Sequence, residues 1–275
     1  MTKPDCDHTS EAAFEVKTIS FAYREVSALK DLSLRIPRGE RVALIGANGS
    51  GKSTLLRMLA GLSFPDCGEI SFFGEPLTKT RLQEEDFFFR FRRRVGVLFQ
   101  NPDFQLFNSS VFDEIAFAPL QLRWPRNQIR EAVEQTLHTM GIADLRDRAP
   151  HRLSGGEKKR VALASILVLD PDVLLLDEPT AALDPISQNQ IVELLASWAN
   201  GVKTVITATH DLDSLADIAD RCYVLKQGRL AGEETPLALM HNLPLLTESR
   251  LIRLQEHRHD RRSTTPHPHV HIGDL

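Results

Sequence analysis

Cysteine is scarce and unpatterned. Cys6, Cys67 and Cys222 are odd in number, far apart and form no C-x-x-C pair. That excludes a disulfide framework or cysteine-cluster zinc site and fits free thiols in a reducing compartment. Long apolar runs are missing too. Val161–Leu169 is short and broken by Ser165, well below the length needed to cross a bilayer. Met1 to Ala13 is polar and acidic and has no apolar core of a secretory signal. There is no excess of basic charge: 33 Lys and Arg stand against 37 Asp and Glu, a net charge of -4. Electrostatics therefore give no reason to expect nucleic acid as a partner. No internal repeat is visible. The chain is expected in the cytoplasm, reaching a membrane only through a partner. Its 275 residues, 42% hydrophobic and 25% charged, suffice for one large domain with a subdomain.

What is present is a rhythm of apolar runs and helical stretches. Phe14–Tyr23 and Asp31–Ile36 alternate as strands do, and Glu69–Phe73 is a short strand. Arg41–Ile45, Val95–Phe99, Val173–Leu176, Thr204–Ala208 and Arg221–Leu225 are apolar runs of strand length. Helical spacing follows at Ser53–Ala60, Asn127–Met140, Gly155–Leu169, Ile186–Ala199 and Leu212–Ile218. This alternation predicts an α/β domain with a mostly parallel sheet. Residues from about 101 to 153, with Pro102, Pro119, Pro125 and Pro150, break the rhythm and read as an inserted, mainly helical subdomain. The chain turns helical again from Thr235 and after Glu256 becomes a His-, Arg- and Pro-rich tail expected to be disordered.

Four apolar runs end in groups suited to phosphate chemistry. Arg41–Ile45 leads into Gly46-Ala47-Asn48-Gly49-Ser50-Gly51-Lys52-Ser53, Val95–Phe99 into Gln100, Val173–Leu176 into Asp177 and Glu178, and Thr204–Thr209 into His210. Parallel sheets bind ligands at the carboxyl edge of their strands. The Gly segment fits a P-loop between strand and helix, in which backbone N–H groups converge on phosphates. Lys52 is then expected on the β- and γ-phosphates, and Ser53 and Asp177 on Mg²⁺. Glu178 is placed to act as general base. A second Gly-rich helix start, Leu153-Ser154-Gly155-Gly156-Glu157, carries a capping box in Ser154 and Glu157. Its two glycines cost helix stability and are read as exposing donors to an anion.

With this set assembled, Leu153–Glu157 resembles the signature of ATP-binding cassette (ABC) ATPases. The resemblance covers about Phe14 to Gly232, with every motif in the family's order. It implies a P-loop NTPase (RecA-like) α/β core with a mixed sheet, an antiparallel N-terminal β part and the inserted helical subdomain, about 101–156 of a domain spanning 14–235. A helical extension over 236–256 and the His-rich tail over 257–275 would follow. Tyr23 stands where the family places an adenine-stacking aromatic. Gln100 matches the Q-loop, where it would also approach Mg²⁺ and the catalytic centre. Asp184 lies in Ala182-Leu183-Asp184-Pro185, which resembles the D-loop, and His210 matches the switch histidine. The nucleotide contacts implied are Tyr23, Gly46, Asn48, Gly49, Ser50, Gly51, Lys52, Ser53 and Thr54, with Ser154, Gly155, Gly156 and Asp184 facing a partner's nucleotide. ATP and Mg²⁺ are the expected cofactors, in a head-to-tail dimer with a second ABC subunit.

Phe99-Gln100-Asn101-Pro102-Asp103-x-Gln105-Leu106-Phe107 and Leu153–Ala162 look like the energy-coupling factor branch, which includes cobalt, nickel and vitamin importers. Phe104 in place of an acidic residue, and the absence of glycine before Pro119, depart from that pattern. The branch implies a transmembrane coupling subunit and a substrate-binding membrane subunit, with this chain peripheral on the cytoplasmic face. The Phe87-Phe88-Phe89-Arg90-Phe91 cluster is read mainly as buried packing. His257, His259, His267, His269 and His271 form a candidate Ni²⁺, Co²⁺ or Zn²⁺ ligand set, which favours Co²⁺ or Ni²⁺ cargo over a vitamin. A soluble ABC ATPase of ribosomes or DNA is a third reading, disfavoured by the single P-loop and the lack of a heptad array.

Overall fold

The computed structural model describes residues 11–199, 201 and 203–252, together with the backbone of 254–255 and 269–270. Two sheets organise it. The first is an antiparallel sheet built on the hairpin of β1 (Ala12–Tyr23) and β2 (Val26–Pro37), which pairs Phe14 with Ile36 and Val16 with Leu34. β4 (Cys67–Phe72) joins β1 on its other side and β5 (Glu75–Pro76) closes the edge, giving the order β2-β1-β4-β5. Alternation is the cause: Phe14 and Val16 turn inward while Glu15 and Lys17 turn out, and an irregularity at Thr18 (φ 46°) shifts the register so that Ile19 is buried as well.

The second sheet holds β3 (Arg41–Ile45), β6 (Val95–Leu98), β7 (Val173–Asp177), β8 (Thr204–Thr209), β9 (Arg221–Lys226) and β10 (Arg229–Glu234). Its order is β10-β9-β3-β8-β7-β6, parallel throughout except for β10. Its inner strands are buried on both faces, which is why they read as continuous apolar runs. Val42, Leu44, Leu175, Ile206 and Tyr223 pack toward the antiparallel sheet and the helices α1 (Lys52–Leu59) and α2 (Glu85–Arg94). Ala43, Ile45, Leu174, Leu176 and Val224 pack on the opposite face. There they meet α3 (Val111–Gln121), α4 (Arg126–Thr139), α5 (Gly155–Leu167), α6 (Pro185–Ala196), α7 (Leu215–Ile218), α8 (Pro236–His241) and α9 (Leu243–Glu248).

The α/β core with its mixed sheet, the antiparallel N-terminal part and the helices α3 to α5 between β6 and β7 are as the sequence predicts. The Phe cluster divides: Phe87 and Phe91, one turn apart on α2, are buried, whereas Phe88 is exposed. β11 (Leu254–Gln255) pairs antiparallel with β12 (His269–Val270). His269 thus lies in a strand, while His257, His259, His267 and His271 lie outside the described residues.

Candidate functional site

Because β3, β8, β7 and β6 are adjacent and parallel, their carboxyl ends share one edge. That register brings the P-loop, His210, Asp177–Glu178 and Gln100 together, as the four run endings implied. The P-loop starts at Gly46, where a Cβ would lie 2.4 Å from the Leu225 carbonyl oxygen. Only glycine fits there. Gly49 and Gly51 take positive φ values of 78° and 108°, a region glycine enters at little cost. The Lys52 ammonium, nearly buried, donates to the carbonyls of Gly46 at 2.5 Å and Ala47 at 3.4 Å. Burial lowers its pKa, while Glu178 and Asp177 push it back up. Ser50 Oγ is buried without a hydrogen-bond partner, a donor turned into a loop whose fold suits phosphate oxygens. Thr54 follows on α1.

Ser53 Oγ donates to Asp177 Oδ1 at 3.1 Å. Burial raises the Asp177 pKa, the Ser53 bond opposes this, and the neighbouring Glu178 adds to the rise. Such a carboxylate gains from a cation beside it. Among the described residues no three His, Cys, Asp or Glu side chains converge as a metal cage. A hydroxyl and one carboxylate nevertheless fit Mg²⁺, a hard ion that takes few protein ligands and shares phosphate oxygens.

Glu178 is only 6% exposed and adopts φ 48°, a left-handed backbone that costs a non-glycine residue about 1–3 kcal/mol. The surrounding bonds hold it there. Its N–H donates to Ala208 O at 2.9 Å, Thr209 Oγ1 donates to Oε2 at 3.3 Å, and His210 Nδ1 lies 2.8 Å from Oε1. A carboxylate fixed by two groups at an open edge can accept a proton from a water above it.

The second helix start is the N-terminus of α5. Ser154 Oγ accepts from Glu157 N at 3.3 Å, and Glu157 Oε2 accepts from Ser154 N at 2.7 Å. The capping box is complete. The glycines divide. A Cβ on Gly155 would meet nothing within 4 Å, whereas one on Gly156 would lie 2.3 Å from Ser187 Oγ. Gly156 therefore has a packing reason, the close approach of α6, which the sequence reading did not give it. Asp184 caps that helix: Oδ1 accepts from the N–H groups of Ile186 and Ser187, and Oδ2 from Ser187 Oγ at 2.7 Å. Tyr23 lies at the β1–β2 turn, edge-on to Phe21.

Tyr23, Asn48, Gly49, Gln100, Ser154, Gly155, Asp184 and His210 are exposed. These residues lie together on an open face of the protein. Sequence reasoning passed over Lys159 and Gln105 as individual contributors. Lys159 is 1% exposed and donates to the carbonyls of Gln100 at 3.0 Å and Glu178 at 2.8 Å. Gln105 Nε2 donates to Ala162 O at 3.3 Å, and its Oε1 accepts from Phe99 N at 3.5 Å. Both were visible only as members of longer motifs.

A P-loop beside a fixed carboxylate at a parallel sheet edge defines a nucleoside triphosphatase. The ABC transporter family profile matches residues 29–181. The nickel import ATP-binding protein NikO of Rhodobacter capsulatus is 53% identical over 243 residues, covering 87% of this chain and 96% of that protein. Relatives named energy-coupling factor transporter ATP-binding protein match over similar lengths of this chain. CbiO1 of Clostridium perfringens, described as part of the ABC transporter complex cbiONQ, superposes with a TM-score of 0.75 at 35% identity, over 88% of this chain and 96% of that one. A dimeric post-hydrolysis structure of the ATP-binding cassette MJ0796 bound to ADP and Pi gives 0.73 at 27% identity, over 81% and 98%. The chain belongs to the ABC transporter family, as an ATP-binding subunit of the energy-coupling factor type, and is an ATPase.

Proposed function

We propose that this chain hydrolyses ATP to drive an energy-coupling factor type importer for Ni²⁺ or Co²⁺. It works as half of a head-to-tail cassette dimer, with itself or a relative, on the cytoplasmic face of the cell membrane. The observation that carries the catalytic part is Glu178, buried and held in a left-handed conformation beside His210 at the P-loop edge. The name of the relative NikO supports the cargo.

In this reading Lys52 leaves the Gly46 and Ala47 carbonyls for the β- and γ-phosphates, and the loop N–H groups up to Ser53 and Thr54 cradle them. Tyr23 stacks on adenine. Glu178 takes a proton from water as the water oxygen bonds the γ-phosphorus and ADP leaves; His210 keeps the carboxylate aimed. Ser53, Asp177 and Gln100 would hold Mg²⁺, which neutralises charge on the phosphates. Ser154, Gly155 and Gly156 present the α5 N-terminus to the γ-phosphate of a partner, with Asp184 at the same interface. The bound dimer found for MJ0796 and the open exposure of Gly155 support this arrangement.

No helix among the described residues is long and apolar enough to cross a membrane. The membrane partners, a coupling subunit and a substrate-binding subunit, would dock near Gln100, where Phe104, Phe107, Phe117 and Leu120 stand exposed. The C-terminal histidines, including His257, His259, His267, His269 and His271, would gather transition metal. Tagged isolation from solubilised membranes tests the assignment. Co-isolated membrane subunits that retain Ni²⁺ or Co²⁺ are expected. A ribosome-bound pool, or a vitamin retained in place of metal, would contradict it.

A further inference from the structure

We infer that Lys159 is a positioning residue that ties the signature helix to the hydrolytic carboxylate of its own protomer. The inference rests on the reading of Glu178 as general base.

Among the described residues few charged side chains are buried, and a buried ammonium needs a reason. Lys159 sits on the second turn of α5, the helix whose N-terminus is Ser154-Gly155-Gly156. Its Nζ donates to Glu178 O at 2.8 Å and Gln100 O at 3.0 Å. Burial lowers its pKa to about 8, against the pull of Glu178 and Asp177. Among the described residues the Glu178 carbonyl also accepts a longer bond, 3.3 Å, from Ala181 N. One ammonium thus spans the two peptides that follow β6 and β7, and it anchors the strained Glu178 backbone at its carbonyl, while Ala208 holds its N–H.

The neighbouring contacts make the link mechanical. Lys158 pairs with Asp103 at 2.7 Å, and Gln105 reaches Ala162 O and Ser165 Oγ. The segment from Gln100 to Gln105 is therefore fastened to α5 at several points. Lys159 is the member of this set that also reaches Glu178. A displacement of the Gln100 loop, or of α5 by a partner at its N-terminus, arrives at the Glu178 peptide through this side chain. The two ends of the protomer's chemistry, signature and base, then move together.

The test uses the full-length protein with Mg·ATP. Lys159→Met removes the donors and keeps an apolar chain of similar length; Lys159→Gln retains a neutral donor. In Lys159→Met the single-turnover hydrolysis rate should fall about tenfold to a hundredfold, the range for losing a charge-assisted hydrogen bond, with ATP affinity within about twofold of wild type. Lys159→Gln should recover a large part of the rate. The inference is overturned if Lys159→Met hydrolyses at the wild-type rate. It is equally overturned if Lys159→Gln is no faster than Lys159→Met, or if melting temperature and ATP affinity fall in step with the rate. Glu178→Gln separates the two readings. Normal turnover in that variant removes the base assignment; lost turnover there, with a normal Lys159→Met, removes only the present inference.

Discussion

Replacing Gly156 with alanine should destabilise the protein, whereas the same change at Gly155 should not. At Gly156 the new Cβ would stand 2.3 Å from Ser187 Oγ and 2.9 Å from Ser187 Cβ. The hydroxyl alone could rotate, but Ser187 Cβ moves only with the start of α6, which Asp184 pins through both its oxygens. Overpacking of this kind costs about 1–3 kcal/mol, offset by up to about 1 kcal/mol from the better helix propensity of alanine. The net loss, about 1–2 kcal/mol, corresponds to a fall of several degrees in melting temperature, at about 2–4 °C per kcal/mol for a domain of this size. Ser187→Gly removes both obstructing atoms, so adding Gly156→Ala to that variant should cost far less than adding it to the parent. At Gly155 nothing lies within 4 Å, so the alanine variant should melt no lower than the parent yet, on the proposed dimer, hydrolyse ATP more slowly, because its methyl would enter the space of a partner's phosphate. Thermal denaturation followed by circular dichroism, alongside an ATPase assay, reads both. A Gly156→Ala protein as stable as the parent, or a Gly155→Ala protein with undiminished activity, would refute the reasoning.

Other outcomes follow from the same geometry. Glu178→Gln should bind ATP, accumulate as a closed dimer on size exclusion and lose about a hundredfold or more of its turnover, as expected for removal of a general base. Lys52→Ala should lose productive nucleotide binding, measured by equilibrium titration with a fluorescent ATP analogue, since its ammonium is the buried cation of the P-loop. A chain ending at Glu256 should bind Ni²⁺ and Co²⁺ more weakly than the full chain by calorimetry; equal affinity would remove the metal role of the tail.

Much of the site was legible because a buried parallel sheet writes its strands as apolar runs and leaves polar groups at their ends. Ile45, Phe99, Leu176 and Thr209 each mark such an ending, and the structure places those endings side by side. The edge strands were less visible. β10, Arg-Leu-Ala-Gly-Glu-Glu, is half exposed and lacks an apolar run, and β5 is only two residues long. Lys159 was hidden for a different reason. Lys158-Lys159-Arg160 reads as a solvated run of charge, and only the packing of α5 under the Gln100 loop shows that the middle residue is buried. The role of Gly156 and the backbone of Glu178 also depend on tertiary contacts, with α6 and β8, that no local pattern records.

The account depends on a catalytic pocket assembled from two molecules, and a mixing experiment addresses that directly. Lys52→Ala disables the P-loop of its own protomer. Gly155→Asp places a negative charge where the signature would face a partner's phosphate, in space that is open within the protomer. Each homodimer should be inactive. Mixed after dissociation, half the dimers are hybrids in which one of two sites unites the intact P-loop of one chain with the intact signature of the other, so activity should return to about a quarter of the wild-type rate. If the mixture hydrolyses ATP no faster than the two variants do separately, the shared pocket is contradicted.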